Sequence, residues 1–144
     1  MSGLGSQMSH SPQTVEYQWS DAWLLVATGL ASQNGPISLE AIIAAADAVQ
    51  HAIPTFDEVD GGLARLSVGD LLLLNQVGFA LTTHGEQLLA PTRSGGWHQQ
   101  QKAIEAALKA RPWSRSYTPS DARRGTLSPV ITQAEYDASI GRYT

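Results

Sequence analysis

The chain of 144 residues contains no cysteine. This absence excludes disulfide bonds, a thiolate nucleophile and any zinc centre with cysteine ligands. Long apolar runs are absent too, since none approaches the roughly 18 residues that a membrane-spanning helix needs. Residues 1–14 lack the basic and apolar regions of a signal peptide. We therefore expect a cytoplasmic protein that does not contact membranes.

Motifs for catalysis and metal binding are also missing. The four histidines, His10, His51, His84 and His98, form neither an HxH nor an HxxxH pair. The sequence contains no glycine-rich phosphate loop and no nucleophile elbow. We therefore expect no enzymatic activity, no metal and no cofactor.

Basic residues are scarce in the first two thirds of the chain. Residues 1–92 contain nine acids and a single base, Arg65, whereas residues 93–144 contain eight bases and four acids. The formal net charge of −4 therefore combines an acidic body with a basic C-terminal part. Such asymmetry indicates either a tail that contacts a partner or an accident of a small chain.

Apolar side chains make up 42% of the sequence, enough for one domain with one core. Helical periodicity and N-terminal caps predict three helices in the first half of the chain. The caps are Ser20, Ser38, and Thr55 in a capping box with Glu58. The three segments are SDAWLLVATGLAS at 20–32, ISLEAIIAAADAVQHAI at 37–53 and TFDEVDGGLARL at 55–66.

A β-hairpin is predicted next, because two short apolar runs, 71–74 and 79–81, flank the turn signal NQVG. Leucine is a mediocre strand former, so the first run alternatively extends the third helix. A short helix then starts at Thr83, with Glu86 as its capping-box partner. The residues PIS at 36–38 favour one further short extended strand.

The C-terminal third contains one clear amphipathic helix, WHQQQKAIEAALKAR at 97–111. Beyond it, Pro, Ser, Thr and Arg predominate, which is typical of extended or disordered chain. Thr132 and Glu135 form a further capping box and predict a short helix in TQAEYDASIGRY. Whether this segment folds back onto the body is left open by the sequence.

Two stretches resemble the winged-helix superfamily of bacterial regulators. FALTTHGEQLL is similar to the segment that follows the wing in those proteins, and TFDEVDGGLARLSVGDLL is similar to their third helix and its exit. The resemblance implies an α+β, mostly helical fold with a three-helix core, a short β-hairpin wing and an additional C-terminal helix. The implied parts are a disordered leader at 1–16, the winged-helix domain at 17–91, a dimerisation-type helix at 94–111 and a partly disordered tail at 112–144.

In that family the third helix enters the major groove of DNA, and phosphate contacts by Lys and Arg supply much of the affinity. Here the third helix offers Arg65 against Asp57, Glu58 and Asp60. We therefore expect a protein-interaction or regulatory module. The alternative is a DNA-binding transcriptional regulator that uses the third helix and wing or the basic C-terminal region. Candidate nucleic-acid or partner contacts are Arg65, Asn75, Gln76, Arg115, Arg123 and Arg124.

The long helix suggests a homodimer, because the implied C-terminal helix is of the kind through which such regulators dimerise. Its apolar face carries the candidate dimer contacts Trp97, Ile104 and Leu108. A second feature is the pair Gly61-Gly62 inside the third helix, where each glycine costs about 1 kcal/mol against alanine. The pair indicates close approach by another backbone, either the first helix or a second subunit, with internal packing favoured.

Overall fold

The elements follow the order that the sequence periodicity predicts. A computed structural model describes residues 17–32, 35–74, 78–110 and 130–143. These residues form a mostly helical α+β fold with one two-stranded antiparallel sheet, which confirms the α+β, mostly helical part of the expectation. The elements are α1 (Trp19–Ala31), α2 (Leu39–Gln50), α3 (Phe56–Val68), β1 (Leu72–Leu74), β2 (Phe79–Leu81), α4 (Thr83–Leu89), a 3-10 turn (Ala90–Thr92), α5 (Trp97–Ala110) and α6 (Gln133–Tyr143).

Helix α1 lies at the centre of the core and contacts α2, α3 and α5. It is buried from Ser20 to Gly29, as expected for a helix that is apolar on nearly every side. The core around it includes Leu25, Ile42 and Leu63, none of which is accessible to solvent. The indole Nε1 of Trp23 donates a 2.9 Å hydrogen bond to the carbonyl of Ala46, which ties α1 to α2.

The glycine pair of α3 has two different roles. A Cβ atom at Gly62 would collide with the side chain of Leu24, so the close approach to α1 depends on this glycine. At Gly61 a Cβ would instead lie 3.1 Å from the guanidinium of Arg65, on the same helix. Packing inside the chain therefore explains Gly62, but its neighbour is a side chain of α1 and not the backbone that the pair was expected to meet.

The hairpin pairs β1 with β2 in a register that places Leu72 opposite Leu81. Two backbone hydrogen bonds of 2.9 Å join Ile37 to Phe79, so the residues before α2 add the short extended segment that the sequence favours. Helix α3 ends at Val68, which settles the first apolar run as a strand. Gly78, with φ +151°, lies against the backbone of Ile37, where a side chain would not fit.

Two helix starts differ from the prediction. Helix α1 begins one residue before Ser20, because the Asp21 carboxylate accepts the backbone N–H of Gln18 at 2.9 Å. Helix α4 is capped by Thr82 rather than Thr83, since the extended backbone of Thr82 directs its hydroxyl towards an N–H of the first turn. The caps predicted for α2 and α3 are confirmed.

Residues 130–143, which we call the C-terminal segment, pack against the body. The capping box of Thr132 and Glu135 forms with distances of 2.8 and 3.0 Å and starts α6, as predicted. Helix α6 packs against α2. In the described parts of the chain, no helix has the length and apolar character needed to cross a membrane. The predicted leader at 1–16 and residues 112–129 of the predicted tail lie outside the described residues.

Candidate partner-binding surface

The C-terminal segment lies across a surface that α2 and α3 form together. We call this the α2–α3 surface and define it by its five contact residues, Glu40, Asp47, Pro54, Phe56 and Asp60. Three of the five are acids, and each acid accepts hydrogen bonds from the C-terminal segment. The acidic character of the body therefore has a structural counterpart on this surface.

Asp60 makes the most deeply buried of these contacts. Its Oδ1 atom accepts the backbone N–H groups of Val130 at 2.6 Å and of Ile131 at 3.1 Å. Asp60 is 7% exposed and Ile131 is 4% exposed, so these bonds form away from bulk water. Hydrogen bonds to an ionised acceptor are stronger than neutral ones. Asp60 therefore anchors a polypeptide backbone, although it has no evident role in the sequence pattern.

Two tyrosines of α6 bind on either side of this anchor. The hydroxyl of Tyr136 donates to the carbonyl of Pro54 at 2.6 Å, and its ring packs edge-on against Phe56 with centroids 5.9 Å apart. The hydroxyl of Tyr143 donates to Oδ2 of Asp47 at 2.6 Å. Both contacts require the protonated phenol, because a phenolate has no proton to donate.

The surroundings of both tyrosines keep the phenol protonated. Burial raises the pKa of Tyr136 above its ordinary 10.0, with the charges of Asp137 and Glu58 adding to the effect. The hydrogen bond to Asp47 raises the pKa of Tyr143 above 10.0, with burial and the Asp47 charge contributing less. The two hydroxyls are therefore donors throughout the neutral pH range.

Arg142 provides the ion pair of the C-terminal segment. Its Nε lies 2.9 Å from Oε1 of Glu40, and its Nη2 donates to the hydroxyl of Ser139 at 3.2 Å. The Arg142 side chain is 61% exposed and that of Glu40 is 37% exposed. An exposed pair of this kind contributes at most about 1 kcal/mol.

A pocket of about 540 Å³ opens between the C-terminal segment and the body. The body lines it with Ser38 and Leu39 at the start of α2 and with Phe79 of the hairpin. The C-terminal segment lines it with Ile131 and Arg142, among others. Neither part encloses the pocket without the other.

Arg65, the single base of the first 92 residues, lies elsewhere. Its Nε and Nη2 donate to the two carboxylate oxygens of Asp21 at 2.7 and 2.9 Å. The Asp21 side chain is fully buried and that of Arg65 is 20% exposed, so the pair fastens α3 to α1. The other candidate nucleic-acid contacts, Asn75, Gln76, Arg115, Arg123 and Arg124, lie outside the described residues.

The candidate dimer contacts separate into two groups. Ile104 and Leu108 are 0% and 2% exposed and belong to the core of the single chain, where α5 packs against α1. Trp97, at the first turn of the same helix, is 43% exposed. The amphipathic stripe of α5 is therefore largely satisfied within one chain, and only Trp97 of the three is open to a partner.

A histidine–aspartate contact was not anticipated from the sequence. Nδ1 of His84 lies 2.6 Å from Oδ2 of Asp70, and both side chains are more than half exposed. The contact joins α4 to the turn after α3 on an open surface. Within the described ranges no three His, Asp or Glu side chains are grouped so that they could hold a metal ion.

The residues that contact the α2–α3 surface were also missed as a group. Their signal in the sequence is weak, since Tyr136, Ile140 and Tyr143 recur at helical spacing on one face of a short segment. The pattern predicts an apolar face without naming what it covers. The partners are remote in sequence, 70 positions away for Val130 and Asp60 and 96 for Tyr143 and Asp47.

Comparison with known proteins identifies no relative of this chain. No family model matches it, and neither the curated proteins nor the solved structures contain a significant match.

Proposed function

We propose that this chain is a non-enzymatic regulatory module of the winged-helix type whose α2–α3 surface binds polypeptide. The observation that carries the proposal is the pair of hydrogen bonds from consecutive backbone N–H groups, Val130 and Ile131, to the carboxylate of Asp60. This surface recognises a main chain, and its present occupant is the C-terminal segment.

The order of the elements supports the winged-helix part of the proposal. Three helices precede a two-stranded hairpin, and Ile37, two residues before α2, pairs with the second strand of that hairpin. In a winged helix, α3 would be the recognition helix and the hairpin would be the wing. On this assignment the C-terminal segment lies against the recognition helix through Asp60.

Hydrogen-bond chemistry favours a polypeptide over a nucleic acid on this surface. Phosphate oxygens are acceptors, and they need the Lys, Arg or N–H donors that dominate DNA interfaces. Asp47 and Asp60 are acceptors themselves, and both are satisfied by donors from the C-terminal segment. The guanidinium of Arg65 donates to Asp21 instead. A phosphate backbone placed here would meet like charge.

Self-association through α5 remains a second, narrower proposal. Ile104 and Leu108 are occupied in the core, so a dimer contact on α5 would have to use its outward side, where Trp97 is exposed. Light scattering should then give a dimer that Trp97→Ala weakens. The exposed Leu73 of β1 is the control, since Leu73→Ala changes another exposed apolar side chain that is not on α5. A wild-type chain that stays monomeric at high concentration would contradict this contact.

The main proposal is tested by releasing the C-terminal segment while leaving the α2–α3 surface intact. Ile131→Glu in the full chain places a charge at a buried position of the segment, and Ala134→Glu at an exposed position is the control. A synthetic peptide of residues 129–143 should bind the Ile131→Glu chain and not the control. Random duplex DNA at low salt should bind neither chain.

The outcome also decides between the two functions. Duplex binding by the Ile131→Glu chain without peptide binding would favour the DNA-binding alternative on the α2–α3 surface. Duplex binding by both chains, lost when Arg123 and Arg124 are neutralised, would locate DNA contact in the basic C-terminal region. Either result would replace the polypeptide proposal.

A further inference from the structure

The pocket between the C-terminal segment and the body has the dimensions of a small-molecule site. Its volume of about 540 Å³ lies within the range of about 300–1,000 Å³ that is common for such sites. Its walls include Leu39 and Phe79 from the body and Val130 and Ile131 from the C-terminal segment. These side chains can cover the apolar part of a ligand.

One end of the pocket is polar and carries a positive charge. Arg142 has five N–H donors, and the bonds to Glu40 and Ser139 use its Nε and one hydrogen of Nη2. Among the described residues, Nη1 of Arg142 has no hydrogen-bond partner. Ser139 is 2% exposed and lies beside it on the same face of α6. The guanidinium can therefore bind a carboxylate while keeping its contact with Glu40.

The remaining charges limit what the ligand can be. Glu135 also lines the pocket, about 10 Å from Arg142 along the helix axis, given a rise of about 1.5 Å per residue. Its Oε1 accepts the N–H of Thr132. Glu40 contributes a second negative charge beside Arg142. One guanidinium with two carboxylates has a formal net charge of −1, which disfavours a phosphate or dicarboxylate. A monocarboxylate adds the least repulsion, and its binding depends on direct charge-assisted hydrogen bonds to Nη1 of Arg142.

We propose that this pocket binds a small monocarboxylate with an apolar body, whose carboxylate pairs with Arg142 and whose body lies between Phe79 and Ile131. Because both parts of the chain form the walls, the ligand holds the C-terminal segment on the α2–α3 surface. Ligand binding and segment docking then strengthen each other by the same factor. The pocket needs only the docked C-terminal segment, and ligand binding to it can be measured whether or not the α2–α3 surface binds another macromolecule, so the two proposals stand or fall separately.

Phenylbutyrate is a suitable probe, and phenylbutyramide is its uncharged match. A ligand of this size is expected to bind in the millimolar range. In the full chain, phenylbutyrate should change the chemical shifts of Leu39, Phe79 and Ile131. Phenylbutyramide should change them far less. Arg142→Gln should weaken binding by about tenfold or more, as for the loss of a hydrogen-bonded charge.

Two further variants separate a direct contact from a loosened segment. Glu40→Gln removes the same ion pair from the other side but leaves the guanidinium in place, so it should keep or improve carboxylate binding. Arg93→Gln changes another exposed arginine with a glutamate partner, outside this pocket, and should have no effect. If Glu40→Gln weakened binding as much as Arg142→Gln, ligand contact by Arg142 would be excluded.

The coupling has its own measurement in the same samples. At a phenylbutyrate concentration ten times its Kd, hydrogen-exchange protection of the Ile131 amide should rise about elevenfold, the factor that mass action gives for a ligand of the docked state. Unchanged protection at saturation would overturn the coupling. No binding at about ten times the expected millimolar Kd, or binding of the amide as tight as the carboxylate, would overturn the site.

Discussion

The body and the C-terminal segment are held in place by different kinds of contact. In the body, α1 is buried on almost every side, and its ion pair, Asp21 with Arg65, joins a fully buried carboxylate to a mostly buried guanidinium. The C-terminal segment contributes one buried apolar side chain, Ile131, and a few partly buried ones, and it adds hydrogen bonds to the α2–α3 surface. Its ion pair, Glu40 with Arg142, is exposed.

The difference indicates two levels of stability in one chain. Hydrophobic stabilisation grows with the apolar area removed from water, so α1 and its neighbours should unfold only together. Hydrogen bonds contribute about 1 kcal/mol each and can be exchanged for water. The C-terminal segment should therefore open without unfolding the body, and this makes the α2–α3 surface available to another polypeptide.

The largest expected effect is the difference in folding free energy between a variant of the buried ion pair and a variant of the exposed ion pair. Arg65→Met leaves the buried carboxylate of Asp21 without its cation, which should cost about 3–5 kcal/mol of folding free energy. Arg142→Met in the C-terminal segment should cost less than about 1 kcal/mol, since water replaces the lost partner of Glu40. Urea denaturation of both variants measures the difference. Equal losses would contradict the distinction between the two regions.

Alanine substitutions of the glycine pair test how tightly α3 packs against α1. Gly62→Ala forces a methyl group into Leu24 and should destabilise the chain by about 1–3 kcal/mol. Gly61→Ala meets the guanidinium of Arg65, which must shift by a few tenths of an ångström while bonded to Asp21, and it gains helix propensity of about 1 kcal/mol. The two terms oppose each other, so thermal unfolding should show a smaller loss of stability for Gly61→Ala than for Gly62→Ala. A Gly61→Ala chain as unstable as Gly62→Ala would show that both glycines are tightly packed.

Asp60 offers the corresponding test in the C-terminal segment. Asp60→Asn keeps an acceptor but removes its charge, which should weaken segment docking by about 1–2 kcal/mol. Proteolytic cleavage at Ile131 should then accelerate about five- to thirtyfold, as followed by mass spectrometry. The exposed Asp57, one turn earlier on α3, is the matched control. Similar acceleration in Asp57→Asn would mean that general charge, and not the Asp60 bonds, holds the segment.

The smallest expected effect is a pH dependence of segment docking. Because the docked state raises the pKa of Tyr136 and Tyr143 above 10.0, their contribution is complete below pH 10 and fades as pH rises through the raised values. Tyrosinate absorbance of the wild type minus that of Tyr143→Phe gives the titration of Tyr143. In the Ile131→Glu chain this midpoint should return towards 10. A midpoint unaffected by Ile131→Glu would show that docking does not control the tyrosine.

Local structure was predictable because its causes are local. The capping box of Thr55 and Glu58, the stripe of α2 and the hairpin each depend on residues a few positions apart. The stripe of α5 was predictable too, but its partner was not. Periodicity predicts that Ile104 and Leu108 are buried against apolar side chains, but it does not show whether those side chains belong to the same chain.

The candidate site was less predictable, since its contacts join distant parts of the sequence. Arg65 lies 44 positions from Asp21, and nothing in a list of charges shows that the single base of residues 1–92 is already paired. The role of Asp60 was equally unpredictable, because the sequence does not distinguish an aspartate that accepts backbone N–H groups from an aspartate exposed to water. The acidic residue Asp60 of α3 becomes understandable only when the C-terminal segment is seen beside it.

Native-state hydrogen exchange of the full chain tests the central claim most directly. If the α2–α3 surface holds a separable polypeptide, the amides of Val130 and Ile131 should open with a lower free energy than those of Leu25 and Ile42, at every denaturant concentration below unfolding. Asp60→Asn should lower the opening free energy of the Val130 and Ile131 amides and leave that of the Leu25 and Ile42 amides unchanged. A single opening free energy for all four amides, lowered together by Asp60→Asn, would contradict the account.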